Sequence, residues 1–121
     1  MSFVALWFGV GVLGGLGALA RFLLDGVVSL RGARQFPLGT LLVNLSGALL
    51  LGLLVGIVLS GDAYLLAGTA LLGSYTTFST WMFESHRLAE DGENWFVAAN
   101  IVLSLVLGVA FAAIGRMLGG G

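Results

Sequence analysis

The stretch Gly73–Trp81, "GSYTTFSTW", gathers an unusual set of hydrogen-bonding side chains in a very apolar chain. Six of its nine residues carry hydroxyls: Ser74, Tyr75, Thr76, Thr77, Ser79 and Thr80. It follows the apolar run "YLLAGTALL" and leads into "MFES". Gly73 removes a side chain, and Ser and Thr hydroxyls bond to nearby backbone in competition with a helix. Such a stretch can break a membrane helix, and broken backbone survives at membrane depth only where protein or water satisfies it. Freed carbonyls then make a cation site, and the half-helix ends present dipoles. If the helix resumes, Phe78 and Trp81, three apart, share a face. Aromatic edges carry partial positive charge. Hydroxyls, and the amide of Asn44 in "GTLLVNLSG", are neutral donors. Together these groups can solvate a small anion without holding it as a fixed charge would. A tightly packed Ser/Thr-rich helix interface has the same composition, so the motif alone leaves both readings open.

Other polar residues fall inside apolar runs. Arg21 lies between "GGLGALA" and "FLL". A charge at that depth is costly, so it must face a cavity, a partner or the interface, or snorkel to the helix end. Asn44 needs a partner in hydrocarbon, either another helix or an ion. Asn100 and Ser104, four apart, share a helix face. Glu84 closes an apolar run and His86 lies in a polar connector, where it is expected to be solvated. No arrangement supports nucleophilic or metal catalysis, so an enzyme is not expected. With no Cys, disulfides and thiolate sites are excluded.

The elements that must position these groups follow from composition. The chain is 59% hydrophobic and 9% charged, where a soluble domain carries about 25% charge. The lipid bilayer is therefore the expected solvent, and mean hydropathy is +1.08. With five Arg, no Lys and a net charge of −1, there is no basic patch for nucleic acid. A span needs about 20 mostly apolar residues. Four stretches qualify, at 3–24, 38–59, 63–83 and 95–118, giving one four-span domain over 1–121. The connectors "DGVVSLRGARQFP", "SGD" and "ESHRLAEDGEN" are short, and Pro37 suits a helix start. The first span has no Lys or Arg before it, unlike a signal peptide, and is expected to be retained. Gly11 with Gly15, and Gly52 with Gly56, have the spacing of close helix packing. Four short helices leave little room for both a pore and a lipid-facing wall, so a dimer is expected. Arg31, Arg34 and Arg87 fall on one side and Arg116 on the other. That bias favours external termini but is small enough to permit both orientations.

Taken in order, "GGLGALAR" at 14–21, "PLGTLLVNLSG" at 37–47, "GSYTTFSTW" at 73–81 and "FES" at 83–85 resemble the Fluc (CrcB) family of fluoride channels. The resemblance covers essentially the whole chain. It implies an all-α membrane protein of four transmembrane helices per subunit, with the third broken, forming an antiparallel dual-topology dimer. It implies passive export of fluoride through two pores along the dimer interface, across the cell inner membrane. A central structural Na+ would be held by backbone carbonyls, which match Gly73 and Thr76 here. Asn44 matches the pore asparagine and Phe78 the first of two pore phenylalanines. Thr77 and Ser79 lie beside it as hydroxyl donors. Ser104 falls on the polar face of the fourth helix, and Arg21 matches an arginine near the pore entrance. Glu84 matches an acidic position to which no role is given.

The chain departs from the family pattern at two positions. Trp81 replaces the second pore phenylalanine, and Asn100 stands where Tyr is frequent. Trp81 can solvate an anion by ring edge or N–H, or it can narrow a pathway. The retained set favours a homodimer, while Trp81 and the Arg bias point to the alternative of one subunit of a heterodimer. From another class, a small four-span drug/proton antiporter matches in size. Such exporters use a membrane-embedded Glu in the first helix, and span one here has none. A non-conducting structural subunit is a third reading.

Overall fold

Apolar runs in lipid must satisfy their own backbone, which leaves the helix as the solution for a chain with no barrel pattern. The structure is a computed structural model describing residues 1–31 and 36–121. Every regular element among the described residues is helical: α1 (Phe3–Arg31), α2 (Leu38–Gly56), α3 (Gly61–Tyr64), α4 (Gly73–Tyr75), α5 (Ser79–Glu90) and α6 (Asn94–Leu118). A π-helical segment, Leu65–Leu72, joins α3 to α4 without a break.

Among the described residues three helices, α1, α2 and α6, are long and apolar enough to cross a membrane. The third expected span is instead divided. Its first half runs through α3, the π segment and α4, and its second half is α5. Helix α1 continues to Arg31, so the first part of the expected connector is helical. At 29 residues it is about 44 Å long, more than the ~30 Å hydrocarbon core requires. Arg34, counted above in the charge bias, lies outside the described residues. Helix α2 begins one residue after Pro37, as expected. Between α5 and α6 the chain turns at Gly92, whose φ of 77° suits glycine. The Gly92 and Glu93 N–H groups close that turn on the Ala89 and Leu88 carbonyls.

Glycine decides which helix faces meet. A Cβ at Gly52 or Gly56 would run into the α6 backbone at Ala112 or Arg116. Gly115 of α6 has the same relation to Leu49 of α2. These close approaches make α2 and α6 the most extensive helix pair, as small residues allow in lipid. Gly11 and Gly15 do not meet another helix of the same chain, because among the described residues nothing beyond the local helix backbone lies within 4 Å of a Cβ built on either. Helix α1 packs instead through Gly17, set against the Leu71 carbonyl, and Gly14, beside Ser74 Oγ. The small core includes Leu41, Val43, Leu45, Ala70, Leu72 and Leu88. Large apolar side chains such as Phe3, Phe8, Phe22, Val109 and Met117 point outward, as a lipid-facing surface requires.

Candidate functional site

The break lies between α4 and α5, where Thr76 turns to extended backbone at φ −81°, ψ 162°. The last helical bond before it is Thr76 N–H to the Leu72 carbonyl, 3.0 Å. The first after it is Met82 N–H to the Phe78 carbonyl, 3.0 Å. In an unbroken α-helix the Thr77 N–H would bond the Gly73 carbonyl, and the Thr80 N–H the Thr76 carbonyl. Both donors are diverted to side chains. Thr77 N–H donates to Asn44 Oδ1 at 2.8 Å. Thr80 N–H donates to Thr77 Oγ1 at 3.2 Å. The Gly73 and Thr76 carbonyls are thereby released from their α-helical donors. These are the two carbonyls that the family resemblance implies as Na+ ligands.

Asn44 acts on both sides of the same peptide chain. Its Nδ2 also donates to the Thr77 carbonyl at 2.8 Å. One side chain thus imitates a strand partner and holds Thr77 out of the helix. An amide Nδ2 carries two hydrogens, so one remains for another acceptor. Arg21, half-buried on α1, donates from Nε to the Ser74 carbonyl at 3.3 Å. In a continuous helix that carbonyl would have accepted from Phe78 N–H. A cation at the negative end of a half-helix is also favoured by its dipole. Tyr75 OH and Ser46 Oγ are 2.8 Å apart. Ser46 spends its own hydrogen on the Val43 carbonyl at 3.0 Å, so the tyrosine is the donor. Gly47 leaves space for the Thr76 methyl, which a Cβ there would overlap.

These groups border two cavities. An open groove of about 510 Å³ is lined by Asn44, Gly73, Thr76, Thr77, Phe78 and Trp81, among others. Its surface is largely apolar with few polar groups. A smaller cavity of about 210 Å³ is lined by Arg21, Asp25, Thr40, Val43, Thr77 and Thr80, with Phe22. Thr77 borders both. Phe78 is 69% exposed, so its ring stands at the chain's own surface. It meets Trp81 edge-on, with centroids 5.6 Å apart and planes at 80°.

Other residues named from the sequence lie apart from the groove. Ser79 starts α5 and is exposed. Ser104 sits on α6, and its Oγ is buried with no partner among the described residues. Asn100 is fully buried and faces α5, where Nδ2 donates to Ser85 Oγ at 2.8 Å. The Trp81 N–H is not free for an ion, because it donates to the Asn100 carbonyl at 3.2 Å. Glu84 is half-buried near Thr40, Asp25 and Arg87 rather than fully solvated. His86 is exposed beside Glu90 at 3.3 Å. Sequence reasoning missed Ser46, Ser85 and the reach of Arg21. The only hint of Ser46 was its place two residues after Asn44.

The family model described as "CrcB-like protein, Camphor Resistance (CrcB)" matches residues 8–116. The chain belongs to the CrcB-like family. Its relatives in this family include "Fluoride-specific ion channel FluC 2" of Mycolicibacterium paratuberculosis, 58% identical, covering 98% of this chain and 97% of that protein. The FluC 2 protein of Mycobacterium bovis is 55% identical, covering 95% and 91%. "Fluoride-specific ion channel FluC 1" of Symbiobacterium thermophilum is 40% identical, covering 95% and 98%. A CrcB-like chain with three long apolar helices is a multi-pass membrane protein.

Proposed function

We propose that the chain is a fluoride-selective passive channel that lets F− leave the cytoplasm and so relieves fluoride toxicity. Relatives named as fluoride-specific ion channels, matched over nearly their whole length, support a fluoride channel and not an enzyme. The structural observation that carries the reading is the clamp of Asn44 on Thr77, which holds open a break bordered by neutral donors.

Fluoride is small and strongly hydrated, so a pathway must replace its water with donors. At the groove the spare N–H of Asn44, the ring edges of Phe78 and Trp81 and the Thr77 hydroxyl form that set. Ser79 and Ser104, which lie apart from the groove in the single chain, would extend it where a second copy completes the path. All are neutral, which lets an ion enter and leave. The α5 N-terminus adds a partial positive charge at the break. Arg21, lining the cavity that shares Thr77 with the groove, favours anions at the entrance. In this reading the membrane is the cell inner membrane, and four spans include the broken third.

The groove is open because a second copy in the opposite orientation completes it, giving two pores along the interface. A structural Na+ would be held there by the Gly73 and Thr76 carbonyls. Their fit rests on the diverted donors, since a released carbonyl is a hard oxygen ligand. When bound, the ion would neutralise carbonyl dipoles that would otherwise repel one another. A heterodimer subunit is the second reading, favoured by relatives numbered FluC 1 and FluC 2 and by Trp81. CrcB-like membership tells against the drug/proton antiporter.

Fluoride efflux from liposomes holding the purified chain alone, with chloride as control, tests the reading. Rapid fluoride-selective loss is expected. No flux from a folded dimer would contradict a self-sufficient channel. It would point to a missing subunit, or to Trp81 as a plug that Trp81→Phe removes.

A further inference from the structure

Trp81 is held by its polar end. Its Nε1 donates to the Asn100 carbonyl at 3.2 Å. Asn100 Nδ2 donates to Ser85 Oγ at 2.8 Å. Ser85 Oγ donates to the Trp81 carbonyl at 2.9 Å. Three residues therefore close a ring of hydrogen bonds between one turn of α5 and one turn of α6. Asn100 is 0% exposed and Ser85 5% exposed, so neither has water to fall back on. Asn100 also carries a cost, because its buried Oδ1 has no partner among the described residues. A buried amide retained at such a cost calls for an explanation. Tethering two helices does not require it, since a pair of apolar residues would do the same.

We infer that Asn100 and Ser85 are positioning residues for the Trp81 ring. The clasp turns the indole N–H into α6. The part of the ring that remains meets Phe78 edge-on, with centroids 5.6 Å apart, at the border of the groove. The ion pathway is thus offered aromatic C–H at this position and no strong N–H donor. A free indole N–H beside the path would add a second strong donor to the spare N–H of Asn44 and hold fluoride longer at this point. The clasp prevents this by spending the N–H elsewhere and by fixing the backbone from which the ring projects. The flux consequence rests on the channel reading above, whereas the orientation of the ring does not.

The chain has three Trp, so a Trp7→Phe/Trp95→Phe background leaves Trp81 as the sole indole emitter. Both replaced rings are substantially exposed, at 50% and 78%. In that background Ser85→Ala removes two bonds of the clasp, and Asn100→Leu removes one at similar volume. Each is expected to shift Trp81 emission to the red and to raise acrylamide quenching about twofold. Fluoride efflux is expected to fall about tenfold, the factor that corresponds to about 1.4 kcal/mol, roughly one net hydrogen bond. Ser85→Thr, which keeps the hydroxyl, is expected to restore both readouts. Unchanged emission and quenching in both variants would overturn the proposal. So would reduced efflux with unchanged emission, which is the signature of a merely structural tie. Changed emission with parental efflux would overturn the link to flux. If the parent passes no fluoride, the channel reading fails, and the emission arm still decides whether the clasp orients the ring.

Discussion

Asn44→Asp replaces one nitrogen by oxygen at the residue that holds the break. The new carboxylate can still accept from Thr77 N–H, the bond now made at 2.8 Å. It can no longer donate to the Thr77 carbonyl, the other 2.8 Å contact. That carbonyl then loses its side-chain donor, at about 1–3 kcal/mol if it is left unsatisfied. The effect on an ion is larger. Two like charges about 4 Å apart repel by about 4 kcal/mol at an effective dielectric constant of about 20. At about 1.36 kcal/mol per decade, that slows passage by roughly a thousandfold. Charge therefore dominates the loss of flux, and the lost hydrogen bond dominates the loss of stability. Asn44→Ser, which shortens the side chain without adding charge, separates the two and is expected to retain more flux than Asn44→Asp. The assay is fluoride efflux at matched incorporation, with dimer content read by size-exclusion chromatography with light scattering in detergent, since a chain with no Lys offers amine crosslinkers almost nothing to join. An Asn44→Asp dimer that conducts within threefold of the parent would refute the assignment of Asn44 to the pathway.

Four further outcomes are expected. Phe78→Ile, which removes an exposed ring at the groove, should lower fluoride efflux about fivefold, on the ~1 kcal/mol scale of aromatic contacts, while light scattering in detergent still shows dimer. Gly52→Val forces a Cβ onto the α6 backbone at Ala112 and should cost about 1–3 kcal/mol of stability, read as a lower melting temperature in detergent. Gly11→Val should leave the fold of the single chain unaffected, because among the described residues nothing beyond the local helix backbone lies within 4 Å of its Cβ. A terminal tag on the chain expressed alone should be protease-accessible from both sides of the membrane, and accessibility from one side only would sink the homodimer.

In the third span the residues offered a break beside a packed-interface alternative, and the family resemblance chose the break. Gly73 and the hydroxyls that follow it compete with the helix wherever they stand. The clamp was not legible, since Asn44 and Thr77 are 33 residues apart and meet only when α2 packs beside the break. Spacing marked Asn44 as a residue in need of a partner but could not say that the partner is the Thr77 backbone. Trp81 shows a similar limit. Its N–H was visible in the sequence, but its direction depends on the α6 carbonyl it reaches. Glycine spacing found the α2 face that meets α6 at Gly52 and Gly56, whereas Gly11 and Gly15 meet no other helix among the described residues of the chain, because spacing defines a face without saying what lies opposite. Helix α1 reaches Arg31 because hydropathy measures the fit to lipid, while a helix continues until its backbone pattern ends.

The most direct measurement is the reversal potential of the purified chain in a planar bilayer under a fluoride gradient, with all other ions symmetric. A passive fluoride-selective pore predicts a reversal potential that follows fluoride, at about 59 mV per tenfold gradient. A potential that follows chloride or the proton gradient instead, or a well-folded dimer with no current, would contradict the account.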